Sequence, residues 1–349
     1  MAWAALLALR RPTPEALLAL LRLALAVVQA SEEALEAVAW AAADAGEVEA
    51  SAAGVRQHDM VIAVASGKGG TGKTTVAVGF AIVTGRCQLL DCDVEEPNAH
   101  LFLHPTLTSS EKVTLPVPEV NRERCSLRGR CAEACQFHAI AVMGKSAEGR
   151  SASGGQVLVF PELCHGCGAC TLACPEEAIR EVPRQVGVVE SGKAGKIEFV
   201  HGRLNVGEPM ATPVVRAVKA HLDRRRLTII DAAPGTACPV VEAVKGSDFC
   251  LLVTEPTPFG LSDLRLAVEV MGKLRLPCGV VINRAGEGDQ QIEQFCESKG
   301  LSLLGRIPFS RAVAEAYARG QHPVYVLPEL GRCLEEVLER TLNCAQRGL

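Results

Sequence analysis

No charge of one sign dominates this chain. Its 36 basic side chains face 40 acidic ones, a formal charge of −4, so it carries no field of the kind that draws a protein to nucleic acid or to an anionic membrane surface. Long apolar runs are missing as well. The stretch from Ala16 to Val28 is interrupted by Arg22 and falls short of the roughly 20 apolar residues that span a bilayer. With Glu15 in front of it, the same stretch makes a poor secretory signal. The C-terminal helical pattern carries Glu335, Glu336 and Glu339 and has no basic face, which marks a packing helix and not a membrane anchor. These absences point to a cytoplasmic protein with neither nucleic acid nor membrane as partner.

Cysteine, by contrast, is plentiful, with fifteen in 349 residues. Seven of them crowd between Cys125 and Cys174 at short regular intervals, which reads as metal ligation. The other eight (Cys87, Cys92, Cys238, Cys250, Cys278, Cys296, Cys333 and Cys344) are scattered among mostly apolar residues, where a thiol behaves as a small core hydrophobe. So many free thiols belong in a reducing compartment. At 48% hydrophobic and 22% charged residues, the chain can bury one large core and support a smaller second unit.

Residues 1–59 are rich in Ala and Leu, include Arg10 and Arg11, and read as a helical N-terminal extension. From Met60 the pattern becomes strand (MVIAVAS), glycine-rich loop (GKGGTGK), helix (TTVAVGFAIVTG) and strand (CQLLDCD), a βαβ opening. The alternation stops near residue 120, gives way to cysteines, and resumes near Lys196, with apolar strands at 227–230, 249–254 and 279–283 and helices at 260–274, 289–299 and 328–341. The expected architecture is an α/β doubly wound parallel sheet, residues 60–120 and 183–349, with a small α+β cysteine domain inserted at 121–182.

Two motifs carry chemistry. In Gly67-Lys68-Gly69-Gly70-Thr71-Gly72-Lys73-Thr74-Thr75, glycines let consecutive backbone N–H groups turn toward phosphate oxygens, Lys73 supplies positive charge, and the Thr74 hydroxyl can reach Mg²⁺. In Cys164-x2-Cys167-x2-Cys170-x3-Cys174-Pro175, four thiols follow the bacterial ferredoxin run, in which three wrap one cluster and the fourth ligates its neighbour. Zinc sites more often use two separate CxxC pairs. An upstream half is incomplete: Cys125, Cys131 and Cys135 stand in first, third and fourth place, and Arg128 occupies the second. On the crossed pattern, Cys135, Cys164, Cys167 and Cys170 hold a 4Fe-4S cluster, while Cys125, Cys131 and Cys174 offer three thiolates to a second site, 3Fe-4S, open 4Fe-4S or empty. His138 and His165 lie nearby as candidate substitute ligands, though histidines so placed are more often ordinary loop residues. The string Cys135-Gln-Phe-His-Ala-Ile140 echoes Cys174-Pro-Glu-Glu-Ala-Ile179, as a duplicated unit would.

The GKGGTGKT string resembles the deviant Walker A motif of the MinD/ParA superfamily, and the resemblance covers most of residues 60–340; with the cysteine insert, the whole is similar to P-loop ATPases of that superfamily that contain a ferredoxin domain. The resemblance implies that Lys68 reaches across an ATP-sandwiched homodimer to the partner's phosphates. It also implies that Asp93 of Asp91-Cys92-Asp93 orients the attacking water, that Asp91 has a Mg²⁺-linked role, and that Asp231 is the Walker B aspartate. Asn283 and Pro308 would serve the adenine pocket. Slow ATP hydrolysis would then be coupled either to electron transfer through the clusters to a redox partner, the reading the complete ferredoxin run favours, or to loading and release of clusters onto an apo-protein client, which the incomplete site favours. A partitioning protein ranks last, for want of a basic stripe or membrane helix.

Overall fold

The computed structural model describes residues 59–144 and 155–347. The helical extension expected over residues 1–59 lies, but for Asp59, outside the described residues. Strand β1 (Val61–Ala65) is buried at all five positions, because helices cover both sides of it. Its side chains still alternate in direction: Ile62 and Val64 enter one core, and Val61, Ala63 and Ala65 the other. Helix α1 (Lys73–Thr84) starts where Gly72 adopts a left-handed conformation and stops where Gly85 does the same and returns its N–H to the Ala81 carbonyl. Strand β2 (Gln88–Cys92) follows, then α2 (His100–Leu103) and the long β3 (Thr106–Val120).

The cysteine segment comprises α3 (Arg130–Ala134), β4 (Ile140–Met143), β5 (Gln156–Val159) and α4 (Ala169–Leu172). The chain then returns through β6 (Ile179–Ala194) and β7 (Ile197–Leu204) to α5 (Thr212–Lys219), β8 (Thr228–Ala232), α6 (Cys238–Val244) and β9 (Phe249–Thr254). It finishes with α7 (Pro258–Lys273), β10 (Cys278–Ala285), α8 (Asp289–Lys299), β11 (Ser302–Pro308), α9 (Arg311–Ala318) and α10 (Pro328–Arg347). The helices read at 260–274, 289–299 and 328–341 correspond to α7, α8 and α10. Helices α1 and α10 pack on one face of the sheet and α5, α6, α7 and α8 on the other, the doubly wound arrangement.

Among the described residues the main sheet has nine strands in the order β11–β10–β9–β1–β8–β2–β7–β6–β3. The seven from β11 to β7 are parallel neighbours, whereas β6 runs antiparallel to both β7 and β3. The expectation of a parallel sheet is thus corrected at this end. The turn at Gly195 joins β6 to β7 directly, and so short a connection can link only antiparallel strands. Strands β3 and β6 pair along nearly their whole length, from Thr106 with Lys193 to Val120 with Ile179, and form a ribbon that carries the cysteine segment at its end. Strand β6 begins at Ile179, inside the stretch that the sequence reading gave to the insert.

The internal repeat is visible in the backbone. Leu127, Gly129 and His138 have positive φ, and so do Gly166, Gly168 and Glu177, each pair at the same separation along the chain. Gly129 and Gly168 each precede a short helix. Two matching backbone bonds, Ala139 N–H to Cys135 Sγ and Ala178 N–H to Cys174 Sγ, both 3.3 Å, complete the correspondence. Of the eight scattered cysteines, Cys87, Cys92, Cys250 and Cys296 are buried as expected, and Cys278, Cys333 and Cys344 are half-buried. Cys238 is the exception: it opens α6 at an exposed position, while Val240, Ala243 and Val244 of the same helix are buried.

Candidate functional site

The glycine-rich loop leaves β1 at its C-terminal end and feeds α1. Gly67 is required by close approach: a Cβ there would lie 2.3 Å from the Asp263 carbonyl oxygen. Gly72 is required twice over, by its φ of 91° and because a Cβ would meet Asn283 Nδ2 at 2.3 Å. That Asn283 amide donates to the Thr71 carbonyl at 2.7 Å, which ties β10 to the loop. Gly69, Gly70, Gly72, Lys73, Thr74 and Thr75 form one side of a pocket of about 610 Å³, within the size range of small-molecule sites. Asp93, Asn283 and Pro308 also line it, as do Arg284, Phe309, Val313 and Tyr317. Gly67, Lys68, Thr71, Asp91 and Asp231 lie outside that lining.

Beneath the loop, three carboxylates converge on one ammonium. Lys73 Nζ pairs with Asp93 Oδ2 at 2.9 Å, both side chains nearly buried. Burial works against the charged lysine, but Asp231, Asp93 and Asp91 outweigh it and hold its pKa above the ordinary value. Asp91 is fully buried, and its two oxygens accept from Asp93 N–H and Ala99 N–H, each at 3.1 Å, so it shapes the loop after β2. Burial first, and Asp231 second, push its pKa well up. Asp231, which pairs with Asp91 across β2 and β8, is equally buried, yet neither of its oxygens has a hydrogen-bond partner. Burial raises its pKa to about 6 while Lys73 opposes the rise; Thr74 stands close enough to lower it slightly without forming a well-aligned bond. An orphaned buried carboxylate beside a threonine hydroxyl and a phosphate-type loop is what a hydrated Mg²⁺ would satisfy.

Lys68 is held elsewhere. Its ammonium pairs with Glu255 Oε2 at 3.4 Å, and the other oxygen of Glu255 accepts from Arg284 Nη1 at 2.5 Å. His322, buried, was missed by the sequence reading. Its Nε2–H donates to the Thr75 carbonyl at 2.9 Å and its Nδ1 accepts from Val324 N–H, and burial pushes its pKa down to about 4. Phe309, Val313, Tyr317 and Arg284 were missed as well. The sequence reading placed no helix at Arg311–Ala318, the α9 that brings Val313 and Tyr317 to the pocket.

The seven clustered cysteines fall into two groups. Cys135, Cys164, Cys167 and Cys170 line a single cavity walled by Pro116, Pro118, Phe137, Ala139 and Ile140; Cys167 is exposed, and Cys164 and Cys170 are buried. Gly166 N–H points at Cys164 Sγ, 3.4 Å away. Burial raises the pKa of Cys131 first, and the charges of Cys125 and Cys174 add to it. Cys125 also lines a separate cleft of about 290 Å³ with Glu119, Arg122 and Leu127. Arg128, standing where a ligand would complete this group, instead pairs with Glu176 at 3.1 Å. His165 stacks on Phe137 with ring centroids 3.6 Å apart, and His138 carries a turn. Among the described residues, no three His, Cys, Asp or Glu side chains converge tightly enough for one metal ion.

Comparison with known proteins adds the following. The CobQ/CobB/MinD/ParA nucleotide binding domain family matches residues 62–324. An uncharacterized protein of Methanocaldococcus jannaschii is 32% identical over 274 residues, 75% of this chain and 90% of that one. The iron-sulfur cluster carrier protein of Pyrococcus abyssi is 23% identical over 304 residues, 81% of this chain and 85% of that one. Among solved structures, the septum site-determining protein MinD of Pyrococcus horikoshii, complexed with Mg-ADP, is 19% identical over 80% of this chain and 94% of its own, with a TM-score of 0.48. Among the described residues no helix is long and apolar enough to cross a membrane.

Proposed function

The chain belongs to the CobQ/CobB/MinD/ParA nucleotide-binding family, and from that premise we propose that it is an ATPase whose nucleotide state governs the loading and release of iron–sulfur clusters held on its inserted, ferredoxin-type cysteine segment. The observation that carries the reading is the sorting of seven cysteines into an enclosed group of four and a group of three opening on a cleft at Cys125, on a ribbon that belongs to the same sheet as the nucleotide pocket. Relatives named iron-sulfur cluster carrier proteins support it further. A group with three thiolates gives up its cargo more readily than one with four, and the Arg128–Glu176 pair keeps that position free of a fourth sulfur. We place cytoplasmic localisation within the same proposal, since unpaired thiols and ATP require a reducing, ATP-containing compartment.

On the nucleotide side, backbone N–H groups from Gly69 to Thr75 and the Lys73 ammonium hold the phosphates, and the pocket walls of Asn283, Pro308 and Phe309 take the base. The Thr74 hydroxyl and, through water, Asp231 would hold Mg²⁺, which would supply positive charge to the phosphates. Asp93 accepts a hydrogen bond from the water that attacks in line, which requires it to release Lys73 to the phosphates first. Lys68 reaches a partner's phosphates only after leaving Glu255, which makes dimerisation a consequence of nucleotide binding.

A second reading, ATP-gated electron transfer to a redox partner, is supported by the four-cysteine group alone: its apolar walls and buried Cys164 and Cys170 suit a cluster that stays in place. The test is iron and sulfide analysis with EPR on anaerobically purified protein, followed by incubation with apo-ferredoxin, with and without Mg-ATP. ATP-dependent appearance of holo-ferredoxin supports the carrier function. Clusters that remain bound while ATP shifts their reduced EPR signal would favour the second reading, and protein without iron and sulfide would overturn both.

A further inference from the structure

Strand β6, which leaves the cysteine segment at Ile179, carries one largely buried ion pair to the loop after β7. Arg184, midway along β6, holds Glu208 in the loop after β7 with both terminal nitrogens, Nη1 to Oε2 and Nη2 to Oε1, the latter at 3.2 Å. The Glu208 side chain is 3% exposed and that of Arg184 21%. A bidentate pair of this kind is strict in its geometry. On the ribbon, Arg184 lies opposite Leu115. Gly166, in the turn between Cys164 and Cys167, rests on that same Leu115 so closely that a Cβ would stand 3.0 Å away.

The other end of the pair is fastened to the switch loop. Leu204 N–H donates to the Val94 carbonyl at 2.8 Å, and Val94 follows Asp93, the partner of Lys73. Asn205 then binds β6 twice, N–H to the Val186 carbonyl and Nδ2 to the Gln185 carbonyl, both at 2.9 Å, and Glu208 Oε1 accepts from Met210 N–H. The element with two arrangements is the Lys73 ammonium, for which the Asp93 carboxylate and a nucleotide's phosphates compete. Whenever phosphates win, Asp93 and Val94 are released to move, and the loop from Leu204 to Glu208 is hydrogen-bonded to that movement.

We infer that Arg184, placed by Glu208, is a positioning residue through which the state of the Asp93 loop reaches the Cys164–Cys170 turn, changing how firmly the four thiolates hold their cluster. The inference rests on the proposed coupling of ATP to iron–sulfur clusters and names the residues that transmit it. Neither Arg184 nor Glu208 touches the nucleotide pocket, so ATP binding and hydrolysis stay intact when they are changed.

The experiment measures two quantities in the full-length, cluster-containing protein, with and without Mg-ATP. One is the rate of iron release to a chelator such as ferrozine, and the other is hydrogen–deuterium exchange of the peptide spanning residues 163–174. Wild type is expected to change its release rate on the order of threefold with Mg-ATP, the size that moving one unit charge by a couple of ångströms gives at an effective dielectric near 20. Glu208→Gln should lose that response while keeping Mg-ATP binding. Because a lone buried charge can itself unfold the region, the double variant Arg184→Met/Glu208→Leu serves as the second test and should also be unresponsive. Wild-type-like responses in both variants would overturn the inference alone. Absence of any response in wild type that binds Mg-ATP would overturn the coupling reading and the inference with it.

Discussion

Replacing Asp231 with asparagine should make the metal-free protein progressively more stable, relative to wild type, as the pH rises. Both Asp231 oxygens are buried without partners, and burial raises the pKa from an ordinary 3.8 to about 6 against the pull of Lys73. A carboxyl group with a raised folded-state pKa holds its proton more tightly in the folded chain. Wild type therefore carries no penalty below about pH 3.8, accumulates one up to about pH 6, and bears it fully above. At roughly 1.4 kcal/mol per pH unit, the full penalty is about 3 kcal/mol, of which about 2 kcal/mol develops between pH 4.5 and 7.5. Asparagine does not titrate. Its own cost as a buried amide is constant with pH, so the slope of the difference isolates the charge. The assay is urea unfolding of both proteins at pH 4.5, 5.5, 6.5 and 7.5 with EDTA present, repeated at pH 7.5 with Mg-ATP. The expected result is a variant-minus-wild-type difference that grows by about 2 kcal/mol over this range, together with stabilisation by Mg-ATP that wild type shows and the variant loses. Parallel pH curves would refute the argument that Asp231 is an uncompensated buried charge waiting for a cation.

Two further outcomes follow from neighbouring residues. Glu255→Gln frees Lys68 from its half-exposed ion pair; since such pairs contribute about 0.2–1 kcal/mol, dimerisation with a non-hydrolysable ATP analogue should tighten by up to about fivefold in sedimentation velocity, and unchanged or weaker association would argue against a restraining role. For His322 the direction is opposite to that of Asp231: its folded pKa is depressed to about 4, so the stability it contributes is present above pH 6.5 and is lost as pH falls toward 4, by up to about 3 kcal/mol. His322→Gln should flatten that part of the acid limb in urea midpoints, and a variant as acid-sensitive as wild type would contradict it.

Much of the parallel core was legible because its signals are local. Strand VIAVA, the glycines at 67–72 and the helix that follows are fixed by backbone requirements that only certain residues meet, and Asp231 announces itself by ending an apolar strand at the same level. Strands β3 and β6 were not legible. Pro116, Pro118, Pro183 and Gly187 interrupt any period-two pattern in them, and their pairing is visible only once the cysteine segment brings residues 120 and 179 together. The pocket wall at residues 309–317 escaped for a different reason. Phe309, Val313 and Tyr317 owe their position to where α9 packs, and Lys68 to a partner 187 residues away in sequence, Glu255. A sequence shows which residues can bind phosphate, but not which neighbours will restrain them.

The ribbon strand β3 has a last consequence, for how copies of the chain can meet. Among the described residues it is the outermost strand, and its first seven residues are exposed. An open strand of that length ordinarily invites a second chain to add to the sheet. Here Glu111 and Lys112 place opposite charges on the free rim, and Pro116 and Pro118 lack the N–H groups that an incoming strand would need. Backbone-to-backbone extension is thereby disfavoured at the Pro116–Pro118 end of this border, and the charges of Glu111 and Lys112 guard the exposed stretch before it.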